Sequence, residues 1–382
     1  MSATTRAVEK DLPEPNALEK RASLYLTSRS SHAKAAAGGR EIDRNKLATI
    51  RRRAVIWAIL SGTLSGAIIG GTETWLRLVY LGGIENLAFR DQLPYWAAFY
   101  AFVGVVTVVE MAFLYWNALD ATAKVNIALG APLNGDGTEL VAVGLARAAL
   151  ESPNPHHVVH GVDPYALMPK WRLLAHNLLY KAKVGASSFI LRIIMRRLFA
   201  RATLRGYIPL LAIPLYAIWN AWITWRVVNE ARLRALGPGA IETVAGMLRD
   251  RKDAGSDNVR EAILQGVGEI VMRGYNAHPN YILLVRRLVD ELDPESDEID
   301  VDWDNREADL ADLDEDEKTL LLDVLTISTI LAGRPRGDQR RFLAAVYKEC
   351  GRDMKPDALK RLRKAFTAGP GIGEQDLKAV RA

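Results

Sequence analysis

Nineteen consecutive residues without a charge, Ala54 to Thr72, follow directly on Arg51, Arg52 and Arg53. At about 1.5 Å per residue, a helix of that length nearly matches a hydrocarbon layer of roughly 30 Å. The segment therefore predicts a membrane span, with its basic end on the cytoplasmic face. Two more windows follow. Leu93–Leu119 carries Glu110 as its only charge, with Tyr95, Trp96 and Tyr100 at one end and Tyr115 and Trp116 at the other. Aromatic residues at both ends match the two interfacial belts of a span. Tyr207–Trp225 is also uncharged. Pro209 and Pro214 are expected to break its first half, and Trp219, Trp222 and Trp225 favour the headgroup region, so 207–225 reads as a third span or as a re-entrant piece packed on the first.

Averaged composition hides all of this, because 49% apolar and 25% charged residues would suit soluble domains. The net charge of +5 hides a second asymmetry: residues 120–206 hold eleven Lys/Arg against five Asp/Glu, while 290–317 holds sixteen acids and one base, Arg306. Basic character next to apolar windows suits a cytoplasmic membrane face better than nucleic acid. The single cysteine, Cys350, gives neither an intramolecular disulfide nor a metal-knuckle spacing.

The expected fold is all-α, with integral membrane helices, a basic amphipathic helix and a soluble C-terminal helical module. Residues 1–50 read as a disordered polar tail, 51–238 as the membrane domain, 239–292 as a helical connector, 293–317 as a solvated acidic linker and 318–382 as a small helical module. Within the membrane domain the stretch 171–205 predicts an amphipathic helix. Its arginines Arg192, Arg196, Arg197, Arg201 and Arg205 would face anionic lipid headgroups while Phe189, Ile190, Ile193 and Ile194 enter the apolar layer.

Several residues invite a chemical role. Gly62, Gly66 and Gly70 recur every four residues and give the first span a face without side chains, a seam against which a second helix, from Leu93–Leu119 or from another protomer, can approach closely. Glu110 lies at membrane depth, where a carboxylate is costly unless protonated, paired or near water; it is either an ion-handling group or a residue that reaches the cytoplasmic headgroups about two turns away. His156, His157, His160 and Asp163 are metal-ligand types in close sequence, but Pro153, Pro155, Gly161 and Pro164 place them in a loop. Asp300, Asp302 and Asp304 alternate as a calcium loop begins, although its sixth and twelfth positions would be Asn305 and Ala311. The glycine-rich run 130–138 lacks the Gly-Lys-Ser/Thr ending of a phosphate loop.

The segments GLARAALESPNP, GVDP, LLYKAKV and LRGYIPLLAIPLYAIWNAWITWRVVNEARLRALGP, between Val143 and Gly239, resemble a family of uncharacterised bacterial multi-helix membrane proteins. That resemblance implies a multi-pass location in the bacterial cytoplasmic (inner) membrane and brings no activity or catalytic residue. The order of helices after Lys318 resembles the small helical domain of tellurite-resistance-B-like proteins, whose acidic, metal-associated turn reads Ala332-Gly333-Arg334-Pro335-Arg336 here. The functional expectation is a membrane-anchored, non-enzymatic protein without a cofactor, an envelope or stress-related scaffold that binds anionic lipid and a protein partner or a second copy of itself. Both termini are expected on the cytoplasmic side. An oligomeric small-ion conductance built on Glu110, and a membrane metallohydrolase at His156, His157 and His160, are the alternatives.

Overall fold

The computed structural model describes residues 15–36, 44–130, 138–152, 154, 157–175, 208–250, 256–294, 296, 298, 299, 301–303, 310–369 and 371–381. Among them the secondary structure is helical, apart from one isolated bridge between Val159 and Val162.

The first described helix, α1 (Ala17–Ala36), corrects the expectation of a disordered tail over this stretch. Asn16 accepts from the Glu19 backbone N–H at 2.9 Å and Glu19 returns the bond to Asn16 N at 3.1 Å, a reciprocal cap that satisfies two otherwise orphaned donors. Ala22 and Leu26 are buried against the helix Thr138–Ala149, and Glu19 pairs with its Arg147 at 3.3 Å.

Three long helices dominate the first half. Helix α2 (Arg44–Leu78) contains the first window and α3 (Phe89–Leu129) the second, each reaching well beyond the uncharged stretch. Two helices among the described residues, Lys46–Leu78 within α2 and α3, are long and apolar enough to cross a membrane. Two short 3-10 turns, Tyr80–Gly82 and Ile84–Asn86, reverse the chain between them. Gly83 sits there at φ 98, and a Cβ on it would stand 2.6 Å from the Arg77 carbonyl oxygen. After α4 (Thr138–Ala149) the loop through 157–175 lies beside the C-terminal helices: Ile299 N donates to His160 O at 2.8 Å.

The third window differs from its expectation. Helix α5 (Ile208–Arg249) runs unbroken through Pro214 and through Gly237-Pro238-Gly239, so neither the proline break nor the boundary at 238/239 interrupts it. A proline forfeits one backbone hydrogen bond, a cost that packing on both flanks can cover. The helix lies antiparallel to α2. Its Ile213 faces Gly66, its Tyr216 faces Gly62, and its Asn229 accepts from Arg51 Nη1 at 3.2 Å. Since α5 starts at the Gly66 end and Arg172 lies near Tyr275 of the C-terminal half, the two described ends that 176–207 connect lie on opposite sides of the bundle. Of the expected basic helix 171–205, the residues up to Ala175 are helical; the remainder lies outside the described residues.

The second half of α5 enters a single core with α6 (Asp257–Gly274), α7 (Pro279–Leu292), α8 (Glu315–Ile330), α9 (Gly337–Glu349), α10 (Pro356–Ala368) and α11 (Glu374–Arg381). The connector and the terminal module therefore share one interior. The acidic stretch does not separate them, because its Ile299, Trp303, Leu310 and Leu313 are buried in that same core, with Trp303 edge-on to Phe342 at 5.2 Å between ring centres. Among the described residues Asp293, Glu298, Asp302 and Asp312 are exposed, while these apolar side chains anchor the strip. Asp314 and Glu317 then close it with a capping box at the start of α8.

Candidate functional site

The surface of α2, α3 and α5 is apolar where a soluble bundle would be polar. Ile56, Trp57, Leu60, Leu64 and Ile68 on α2 are exposed, as are Phe102, Val105, Val108 and Val109 on α3 and Ile218, Trp222 and Trp225 on α5. Val108 is 68% exposed and Ile218 also 68%. Soluble monomers rarely leave contiguous apolar area of this kind uncovered.

Aromatic side chains bound this girdle at two levels. On the side of Arg51 stand Trp57, Tyr115, Trp116, Trp222 and Trp225, with Trp57 edge-on to Phe113 at 6.3 Å. At the other end Trp75, Tyr80, Tyr95, Trp96 and Tyr100 cluster, with Trp75 and Tyr80 4.9 Å apart and Arg77 stacked 4.9 Å above Trp96. Trp57 and Trp75 are eighteen residues apart on one helix, about 27 Å along its axis. That separation fits the roughly 30 Å hydrocarbon layer whose edges tryptophan and tyrosine favour.

The interior of the bundle is partly polar. Glu110 is 4% exposed and its Oε1 accepts from Asn220 Nδ2 at 2.7 Å, which fastens α3 to α5. Asn117 Nδ2 donates to Ala54 O at 2.9 Å and fastens α3 to α2. Glu110 therefore points into the bundle, and its carboxylate meets an amide on a neighbouring helix instead of reaching the headgroups. Asn220 carried no sequence signal beyond being a polar residue in an apolar window; that alone should have marked it as facing another helix.

Of the glycine seam, Gly62 and Gly66 meet α5, not α3 or a second copy. A Cβ at Gly62 would stand 2.7 Å from the Tyr216 carbonyl oxygen and 2.8 Å from Asn220 Nδ2; one at Gly66 would stand 2.9 Å from Ile213 Cα. Gly70 is buried on the same helix. The seam thus accommodates the third window, and Gly62 leaves the room in which Asn220 reaches Glu110.

A second polar cluster lies where α5 leaves the girdle. His278 is 1% exposed, its Nδ1 accepts from Asn280 N at 3.2 Å, and its Nε2 lies 3.2 Å from Glu230. An Nδ1 that accepts must be unprotonated, so the imidazole is neutral with its proton on Nε2. Burial pushes the His278 pKa below its ordinary value, against the pull of Glu230. Burial would raise the Glu230 carboxyl, but His278 and Arg234 outweigh it and hold it well below the usual carboxylate range. Arg234 also bonds the Gly144 carbonyl and, at 3.1 Å, Asn154 Oδ1. Asn280 reaches Leu233 O at 3.1 Å and Leu331 O at 2.9 Å. These bonds tie α4, α5, α7 and α8 into one joint.

The candidate metal loop is described only in part. His160 occupies a left-handed turn at φ 47, and Asp163 Oδ1 accepts from Tyr165 N at 2.8 Å. Among the described residues no three His, Cys, Asp or Glu side chains converge as metal ligands. His156, Asp300 and Asp304 lie outside the described residues, as do Arg192, Arg196, Arg197, Arg201 and Arg205. The turn Ala332–Arg336 leads into α9, where Arg336 stacks 5.5 Å from the ring of Tyr275. Compared with family models, curated proteins and solved structures, the chain matches none.

Proposed function

We propose that this chain is a membrane-anchored, non-enzymatic helical protein, whose α2, α3 and α5 cross the bilayer together and hold the helical domain formed by the end of α5 and α6–α11 against one membrane face. The observation that carries the reading is the exposed apolar girdle with aromatic residues at two levels. Lipid is the solvent that makes such a surface favourable. On this reading α2 leads away from the face of Arg51, α3 leads back, and α5 starts on the far face and returns, so the C-terminal domain shares the face of the basic triplet. A cytoplasmic location for that face follows from Arg51, Arg52 and Arg53.

The test is extraction of the full chain from membranes. Alkaline carbonate and high salt should leave it in the pellet, and only detergent should release it; release by carbonate alone would overturn the anchor reading. The conductance alternative is less well supported, since the Glu110 carboxylate is engaged by Asn220 in a packed interface. Ion flux through reconstituted vesicles that vanished in Glu110→Gln would favour it instead.

A further inference from the structure

One face of α5 changes chemistry with height. Ile218, Trp222, Trp225, Asn229 and Arg232 follow one another at intervals of three and four residues, so they form one stripe. Its first three members are the exposed apolar part of the girdle, Asn229 receives Arg51 from α2, and Arg232 stands one turn beyond. Arg226, beside the stripe, stacks 5.0 Å over Trp222. The stripe therefore passes from hydrocarbon through the tryptophan level to guanidinium, in the order in which a bilayer passes from acyl chain to phosphate.

Arg232 is poorly provided for. Among the described residues its buried Nε has no hydrogen-bond partner, and the charge beside it is another cation, Arg51. Burial and that like charge both push its pKa below the ordinary arginine value. The nearest acid in sequence, Glu230, is held by Arg234 and His278. Two guanidiniums brought together, one with an unused buried donor, make an arrangement that an anion would stabilise, and planar forks suit phosphate oxygens.

We propose that Arg51 and Arg232, at the mouth between α2 and α5, bind the phosphate of an anionic phospholipid whose acyl chains lie along Trp225, Trp222 and Ile218. This assignment rests on the membrane reading above. It concerns residues other than the arginines at 192–205, and it gives the protein a defined lipid site between two helices.

The test uses the full-length protein in a zwitterionic or uncharged detergent, titrated separately with dioleoylphosphatidylglycerol, dioleoylphosphatidylcholine and inorganic phosphate, with thermal protection as the readout. Wild type should favour phosphatidylglycerol over phosphatidylcholine by about thirtyfold, given two bases at about 1 kcal/mol each at a charged interface. Combined Arg51→Gln and Arg232→Gln should remove most of that preference, while Arg51→Lys with Arg232→Lys should keep part of it. The arginines at 192–205 are present in all these proteins, so the difference reports the pair alone. An undiminished preference in the glutamine variant would overturn the site. Should that variant fail to fold, a lysine variant with the full wild-type preference would overturn the paired-fork assignment. Equal protection by inorganic phosphate would assign the pair to a soluble anion and overturn the lipid. Carbonate extraction separates the two proposals: a chain that stays in the membrane pellet but shows no preference loses only this site.

Discussion

Asn220 of α5 donates to Glu110 of α3 at 2.7 Å, inside the apolar girdle nearer its Arg51 end and directly over Gly62 of α2. Three helices therefore meet at one polar contact in which a carboxylate buried in the bundle finds an amide. Removing the amide should cost more than neutralising the acid. We expect Asn220→Leu to destabilise the detergent-solubilised protein by about 1–3 kcal/mol, the usual cost of stranding a buried polar group. Glu110→Gln should cost less, because an amide can still accept from Asn220. Unfolding in mixed micelles gives both values, and equal losses in the two variants would show that the bond itself matters little.

The close approach of α2 to α5 makes a graded prediction for glycine. Gly66→Leu should destabilise by about 1–3 kcal/mol through overpacking against Ile213. Gly71→Ala, on the same helix but with open space at its Cβ, should be neutral or slightly stabilising. Thermal midpoints of the two variants check this; similar shifts in both would locate the effect in helix propensity and not in the seam.

The buried neutral His278 links stability to pH. Its folded pKa is below the unfolded value, so at pH values under the ordinary histidine range the unfolded chain binds a proton that the folded chain refuses. Stability is then present above the unfolded pKa and falls as pH drops through about 6.5, at up to about 1.4 kcal/mol per unit, until the folded pKa is reached. Glu230 keeps its charge through this window, since its pKa is held well below the carboxylate range. Unfolding measured between pH 8 and pH 5 should show the decline in wild type and a flatter profile in His278→Gln.

Cysteine labelling reads out the topology. Cys350 is 5% exposed and burial pushes its thiol up to about 11, so maleimide should react with it only after denaturation, on whichever side it lies. In a Cys350→Ala background, single cysteines at the exposed positions Lys46 and Lys360 should react from the same side of the membrane, and one at Asn86 from the opposite side. Labelling of position 360 together with 86 would place the C-terminal domain across the bilayer from Arg51.

The sequence by itself determined the properties that depend on a short stretch of chain. Nineteen uncharged residues read as a helix of membrane length wherever they pack. Asn16-x-x-Glu19 is an equally local capping signal, but residues 1–50 read as a disordered tail and only the structure shows α1 there. Helix ends were less legible in α2, α3 and α5, because an apolar window marks only where charged residues stop, whereas backbone hydrogen bonding carries a helix on into polar residues. Only the tertiary structure decided which faces meet. The glycine spacing announced a close neighbour, with Tyr207–Trp225 among the candidates, and the structure seats that segment there in place of Leu93–Leu119. Glu110 and Asn220 are 110 residues apart, and Arg51 and Arg232 still further. Their meetings depend on the rotation and register of whole helices, which side-chain packing over the full length of the bundle fixes. The same holds for Trp303, whose place in the C-terminal core was masked by the acids around it: composition sums over a segment, whereas burial is settled one side chain at a time.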